Sequence, residues 1–246
     1  MALISVDTVY QTVLALANKE QRGYITPQEF NLFAKYAQMD IFEQYFYDLN
    51  QFKRVPGNQS DYADVTGIIE EKISRFIAVH EATQSTTGIT LPENVYRLSV
   101  VTKDGQTCEL MSRKQANLAL GNKLTGATKK RPICYRLGQN ELEIRPVGNL
   151  SANSTYTDMT NVAGGNVRAS YIRKPFDPNW TYIMVSDKAM FNADVSAGWQ
   201  DFELHPSEEQ NLIVKILKLA GVSIKDPALT QAATQEEVKN IQQEKQ

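Results

Sequence analysis

Between Thr26 and Phe52 apolar positions recur too densely for a helix with a single buried stripe. The segment holds Phe30, Phe33, Tyr36, Phe42, Tyr45, Phe46, Tyr47 and Phe52, in a chain with 11 Tyr, 9 Phe and 2 Trp. Placed at about 100° per residue, Phe30, Phe33, Ala34, Ala37, Ile41, Tyr45 and Phe52 share one face. Met39, Phe42, Phe46 and Leu49 make a second, and Tyr36 with Tyr47 a third. A helix apolar nearly all round has to be covered on several sides. Either it is the central strut of the fold, or it also packs on a neighbouring subunit, and the two are compatible. The start of this helix is well specified. Thr26 is the N-cap, Pro27 is N1, and Glu29 at N3 completes a capping box. Ile25 and Phe30 occupy the positions of a hydrophobic staple.

The rest of the first third is also helical in pattern. Val6, Val9, Val13 and Ala17 follow Asp7, a good N-cap, and Gly23 ends that helix. After the loop Lys53–Asn58 a third helix is expected over 62–81, with Val65, Ile68, Ile69, Ile73, Phe76 and Ile77 on one face. From Thr83 the texture changes to alternation with turn signals every 8–12 residues or so. Val95–Val101 and Thr107–Met111 flank Lys103-Asp104-Gly105, a hairpin. Ser112 caps a short helix that Gly121 stops. Ile133–Leu137 and Glu141–Pro146 flank Gly138-Gln139-Asn140, a second hairpin. Val167–Ile172 and Thr181–Val185 are further strands, separated by the rigid turn Pro175–Trp180. Pro206-Ser207-Glu208-Glu209 opens another helix, with acids where the helix dipole favours them, and Gly221 stops it. Asp226-Pro227 starts a last helix, whose end, 235–246, is polar and marginal by itself. The expected fold class is α+β: a helical body built from N-terminal and C-terminal helices, with an inserted antiparallel β domain. The expected parts are 1–84, 85–203 and 204–246, the last packing with the N-terminal helices.

Composition narrows the function. The chain has 246 residues, 42% hydrophobic and 22% charged, with a net charge of −2. That suits a globular protein with a real core and disfavours a dedicated nucleic-acid binder, whose footprint is basic. No apolar run approaches the roughly 18–20 residues of a membrane span, and Met1–Ser5 does not resemble a signal peptide. Asn58, Asn149, Asn153 and Asn179 fit the glycosylation pattern but without secretion mark polar loops. Cys108 and Cys134, expected in a reducing compartment, are read as buried free thiols.

Candidate chemistry is thin. Residues 18–29 imitate an EF-hand, with Gly23 at loop position 6 and Glu29 at position 12. Asn18, Glu20 and Arg22 at positions 1, 3 and 5 do not suit calcium, so a helical hairpin with Glu29 as a cap is the better reading. His80 is placed late in a helix and His205 before a proline, neither with a Ser, Cys or carboxylate at the spacing of a catalytic motif. Glu70-Glu71 and Glu208-Glu209 read as solvated helix surface. Ala163-Gly164-Gly165-Asn166 is a turn without the helix that would cradle a phosphate. Lys123, Lys129, Lys130 and Arg131 cluster in one loop, either solvated or in contact with an acidic partner or passing DNA. No catalytic, cofactor-binding or metal-binding residue is assigned, and an enzyme is not expected.

Three stretches carry a resemblance: Asp7–Phe33, Tyr171–Trp180, and Leu204–Leu212 continuing to Gly221–Pro227. In this order they resemble virion structural proteins of crAss-like tailed phages and related short-tailed phages, most of all a ring or head–tail adaptor protein of the neck. The resemblance implies a twelve-fold homo-oligomeric ring connecting portal to tail and continuing the DNA channel. The implied partners are further copies, the portal protein, other neck and tail ring proteins and passing DNA, with no membrane. The implied location is the virion neck or tail, after assembly in the host cytoplasm. On this reading the aromatic helix forms the body's core and part of the subunit contact, with Phe42 and Phe46 at that contact. The alternative is a binding module, an adhesin or decoration protein recognising a host glycan or another virion protein. Exposed aromatics around Trp180 and Trp199 in a groove would favour it.

Overall fold

The computed structural model describes residues 3–19, 25–52, 65–85, 88–147, 165–186 and 188–223, with 235, 238 and 239. The chain divides into two compact units. One joins Met1–Arg75 to Pro175–Gln246, and the other is Phe76–Lys174.

The first unit holds α1 (Val6–Lys19), α2 (Pro27–Phe52) and α3 (Val65–Ser74) from the N-terminal side. Helix α1 starts one residue before Asp7, which therefore is not its N-cap. The Ser5 hydroxyl accepts the Thr8 N–H at 3.4 Å instead. The box at α2 is formed as the sequence predicts. Glu29 Oε2 accepts the Thr26 N–H at 3.0 Å, and Thr26 Oγ1 accepts the Glu29 N–H at 3.3 Å. The staple residues Ile25 and Phe30 are both buried.

Helix α2 is the strut of this unit. Phe30, Ala34, Ala37, Ile41 and Tyr45 are buried along one face. Helix α5 (Glu209–Ser223) packs on α1 and α2, and α3 packs on α2. Helix α5 runs through Gly221 rather than stopping there. A glycine inside a helix costs only about 1 kcal/mol relative to alanine, so it does not have to end one.

Residues 175–203 belong to this helical unit, not to the inserted one as the sequence reading has them. The reason lies in α2's polar side chains. Gln38, buried, donates to the Phe176 carbonyl at 2.7 Å and accepts the Glu203 N–H at 3.2 Å. Asn31 accepts the Trp180 N–H at 2.9 Å and donates to its carbonyl at 3.2 Å. An irregular segment needs partners for its buried backbone groups, and α2 supplies them.

Among the described residues the inserted unit holds two four-stranded sheets. It begins with β1 (Ile77–Thr83), where the third helix is expected to continue; α3 ends at Ser74. Ile77, four residues after Ile73, falls on the same face as it at either period. What decides is partnership, because β1 pairs along its length with β8 (Asn166–Arg173). The remaining strands are β2 (Ile89–Thr90), β3 (Val95–Lys103), β4 (Gln106–Thr107), β5 (Glu109–Leu110), β6 (Ile133–Arg136) and β7 (Glu141–Arg145). The sheet orders are β1-β8-β3-β4 and β2-β7-β6-β5. All pairings are antiparallel except β5 with β6. The second predicted hairpin forms, and the first forms only at its turn: β4 pairs back on β3, but Glu109–Leu110 of the expected strand 107–111 crosses to the other sheet, beside β6. In the first, Asp104 and Gly105 have φ of 48° and 80°, the two positive values of a type I′ turn. The second joins β6 to β7.

Val101, Val167 and Ala169 of one sheet share a core with Ile89, Cys134, Leu142 and Ile144 of the other. Helix α4 (Arg113–Leu120) covers the opposite face of β6, burying Ile133 and Tyr135 with its Ala116. Ser112 caps α4, with Gln115 completing a second capping box. Gly88 lies at φ +129°, and a Cβ there would meet the Leu142 carbonyl oxygen at 2.0 Å.

Gly88→Ala is therefore expected to destabilise the insert by more than about 2 kcal/mol, read as a lower urea midpoint. Thr26→Ala is expected to cost about 1 kcal/mol. Its hydrogen bonds to Thr26 hold the Glu29 carboxyl below the usual range. The cap's contribution is thus present above the unfolded carboxyl pKa and lost as pH falls through the lower folded one. The gap between wild type and Thr26→Ala should narrow on acidification, measured by denaturation across that range.

Candidate functional site

The exposed aromatics around Trp180 that would favour a binding module do not include Trp180 itself, which is 1% exposed. Its Nε1–H donates to Asp7 Oδ1 at 2.9 Å. Tyr10 and Tyr182 lie against its ring at 4.2 and 5.7 Å between centroids, and Phe191 at 6.0 Å. Trp180 is thus the core of the irregular segment, and Asp7 is spent on holding it. An open groove of about 710 Å³ beside it is lined by Tyr10, Leu14, Pro27, Tyr182, Met184 and Lys188. Neither tryptophan is among its lining residues.

The other chemical candidates resolve into structural roles or fall outside the described residues. Glu29 serves as the cap, while positions 20, 22 and 23 of the EF-hand-like stretch lie outside. So do Asn58, Asn149, Asn153, Gly164 and all of 240–246. Asn179 bonds to Asn31 and to the Gly198 carbonyl. His80 sits in β1, not in a helix. His205 does have a serine beside it, Ser207 Oγ at 2.8 Å from Nδ1, but the same Nδ1 accepts the Ser207 N–H at the cap of a short 3-10 turn. Glu70 and Glu71 are exposed as read. Glu208 is not: it is buried, with Oε1 accepting from Lys72 Nζ at 2.5 Å and Oε2 from Asn211 at 2.9 Å. Lys72 also lies 5.8 Å from the Tyr45 ring centroid. The cavity there holds about 230 Å³, below the roughly 300–1,000 Å³ of ligand pockets. Two of its charges, Lys72 and Glu208, already pair with each other, and Lys215 pairs with Asp40.

Cys108 and Cys134 are buried and free. Desolvation pushes their thiols up to about 11 and about 12, so thiolate chemistry is suppressed at neutral pH. Lys103 is a buried cation that the sequence does not flag. Its Nζ donates to Gln84 Oε1 at 2.6 Å and to the Pro146 carbonyl, and burial lowers its pKa. Among the described residues no three or more His, Cys, Asp or Glu gather to hold a metal ion.

What the fold leaves outside is more informative. On α2, Tyr36 is 63% and Tyr47 65% exposed, with Leu32 also exposed. Eleven residues is close to three helical turns, so the two tyrosines lie on one stripe, with exposed Glu43 between them. Phe42 is not at a surface: it is wholly buried, 5.1 Å from the half-buried Phe46 ring. A second apolar surface was missed in the sequence. Strands β9 (Tyr182–Val185) and β10 (Lys188–Phe191) form a separate two-stranded hairpin. Its register puts Ile183, Val185 and Met190 on one face, and all three are exposed.

The third surface is on the insert, along α4 and the loop that follows it. From Arg113 to Arg131 the sequence has six cations and no acid. Arg131 pairs with Glu109 at 2.7 Å. Arg113, Lys114, Lys123, Lys129 and Lys130 are exposed and have no ion-pair partner among the described residues. Lys129 and Lys130 form the tip of a turn closed by two backbone hydrogen bonds between Thr128 and Arg131. Leu118 is 70% and Leu124 93% exposed in the same stretch. The Leu124 N–H is held by Asn122 Oδ1 at 3.0 Å. The loop is built to present these side chains rather than to bury them. The acid-free run was the sequence signal for this surface; the leucines gave none.

No known protein family matches the chain, and no curated protein matches it. Among the described residues no helix is long and apolar enough to cross a membrane.

Trp180→Ala is expected to cost roughly 3–5 kcal/mol, seen as a large fall in thermal midpoint. A glycan-contacting Trp180 would instead be removable at little cost, since surface substitutions stay within about 0.5 kcal/mol.

Proposed function

We propose that this chain is a structural virion protein that assembles with copies of itself into a ring in the neck of a tailed phage. The ring joins portal to tail and continues the DNA channel, with twelve copies as the resemblance implies. It assembles in the host cytoplasm, and the portal and other neck and tail ring proteins are its neighbours. The carrying observation is the stripe Leu32, Tyr36 and Tyr47, left outside on the helix that organises the whole helical unit. Large apolar side chains on a rigid element, unlike scattered exposed residues, are what interfaces use as anchors. The three stretches that resemble neck proteins support the same reading.

Light scattering on a sizing column, with negative-stain images of the peak, tests it on the full chain alone and mixed with a portal protein. Closed rings in either sample are expected. A chain monomeric in both would overturn the reading. Tyr36→Glu with Tyr47→Glu is expected to lower the particle mass while the unfolding free energy changes by about 1 kcal/mol or less. Phe42→Ala should do the opposite, costing roughly 3–5 kcal/mol in folding because its ring lies in the subunit's own core.

A further inference from the structure

The two units carry opposite charge. The insert, 76–174, has 13 Lys and Arg against 7 Asp and Glu, a net +6. The helical unit has 13 against 21, a net −8, and together they give the chain's −2. Each unit also exposes apolar side chains within a surface of its own sign. The insert offers Leu118 and Leu124 among unpaired lysines; the helical unit offers Tyr36 and Tyr47 around Glu43.

We infer that copies of this chain associate head to tail, the basic leucine-bearing surface of α4 and its loop in one copy seating on the acidic tyrosine stripe of α2 in the next. This rests on the self-assembling reading above and names the contact that it requires. Three features favour a second copy over other occupants. The two surfaces match in sign and in apolar content. Nucleic acid would use the lysines but leave both leucines facing phosphate, and the stripe on α2 would stay uncovered. The surfaces are also different patches of one chain, so their pairing is heterologous, the kind of contact that closes into rings or runs on into filaments. Opposite-sign units steer that encounter and disfavour the like-with-like alternatives, insert on insert or helix on helix.

Cysteine pairing reads the contact directly, because both native thiols are buried. The full-length variants Leu124→Cys and Tyr36→Cys are mixed under mild oxidation, each also being run alone. The expected result is a linked dimer in the mixture at least tenfold above either variant alone. Reversing Lys129 and Lys130 to Glu in the Leu124→Cys chain should abolish it, and Glu43→Lys in the Tyr36→Cys chain should restore a measurable part. Linking should also weaken as salt rises. Rings without mixed linking would overturn this contact and leave the ring reading standing. Mixed linking without rings would keep the contact and remove the ring. Equal linking in all three samples would overturn it in favour of random collision. A 30-base-pair duplex bound by wild type and lost in the Lys129/Lys130 reversal, with assembly unchanged, would overturn it by assigning the patch to nucleic acid.

Discussion

Everything in the helical unit hangs on the need to cover α2 on more than one side. A 26-residue helix with aromatics on several faces is unstable in water until those faces are packed. Helices α3 and α5 cover part of it, and an irregular stretch from 175 to 203 is docked by Asn31 and Gln38. Those two side chains matter because irregular backbone cannot satisfy itself. Gln38 holds both ends of the stretch, at Phe176 and Glu203, while Asn31 and Asp7 hold Trp180. What this packing does not reach is the stripe of Leu32, Tyr36 and Tyr47. The residual exposure is thus a consequence of how the strut is covered and not an isolated surface accident.

The insert answers a different constraint. Its strands are short, so stability comes from burying sheets against each other and from making β6 internal on both faces, under α4 on one side and in the shared core on the other. That places α4 and its loop outermost. Their alanines, Ala116 and Ala127, are buried inward, and the long side chains on the outside include five cations unpaired among the described residues and the leucines Leu118 and Leu124. A capping box at Ser112 and a closed turn at Thr128–Arg131 fix the backbone, so the exposed groups are presented at little further ordering cost on binding.

Local chemistry was the legible part of this chain. The cap at Thr26, the cap at Ser112, the Asp104-Gly105 turn and the second hairpin are all short-range decisions, made by residues within four positions of one another, and all formed. Two local readings failed, the cap at Asp7 and the stop at Gly221, but the larger failures were long-range. Ile77 fits a helix stripe or a strand equally well, and only β8, some ninety residues on, makes it a strand. Glu208 carries the pattern of a solvated helix start, yet Lys72 from another helix takes it inside. The rigid turn Pro175–Trp180 was legible, but not that Asp7 and Asn31, from distant helices, hold its tryptophan. The opposite charges of the two units were present in the sequence but invisible until the boundaries moved to 76 and 174. With the insert drawn at 85–203, the acids of 175–203 mask much of its positive charge.

Charge separation of this size also constrains what the protein does with its apolar surface. At physiological salt, fields decay over about 8 Å, so a net −8 and a net +6 act on a partner only near contact. They cannot hold an assembly together, but they choose which faces meet. Apolar side chains have no such selectivity, and two exposed leucines on a neutral surface would be an aggregation liability. Surrounding them with lysines makes like faces repel and leaves an acidic, apolar surface as the favourable target. The α2 stripe meets that description through Tyr36, Glu43 and Tyr47. Selectivity from charge and adhesion from leucine and tyrosine are separable functions, and this chain places both on each of two surfaces.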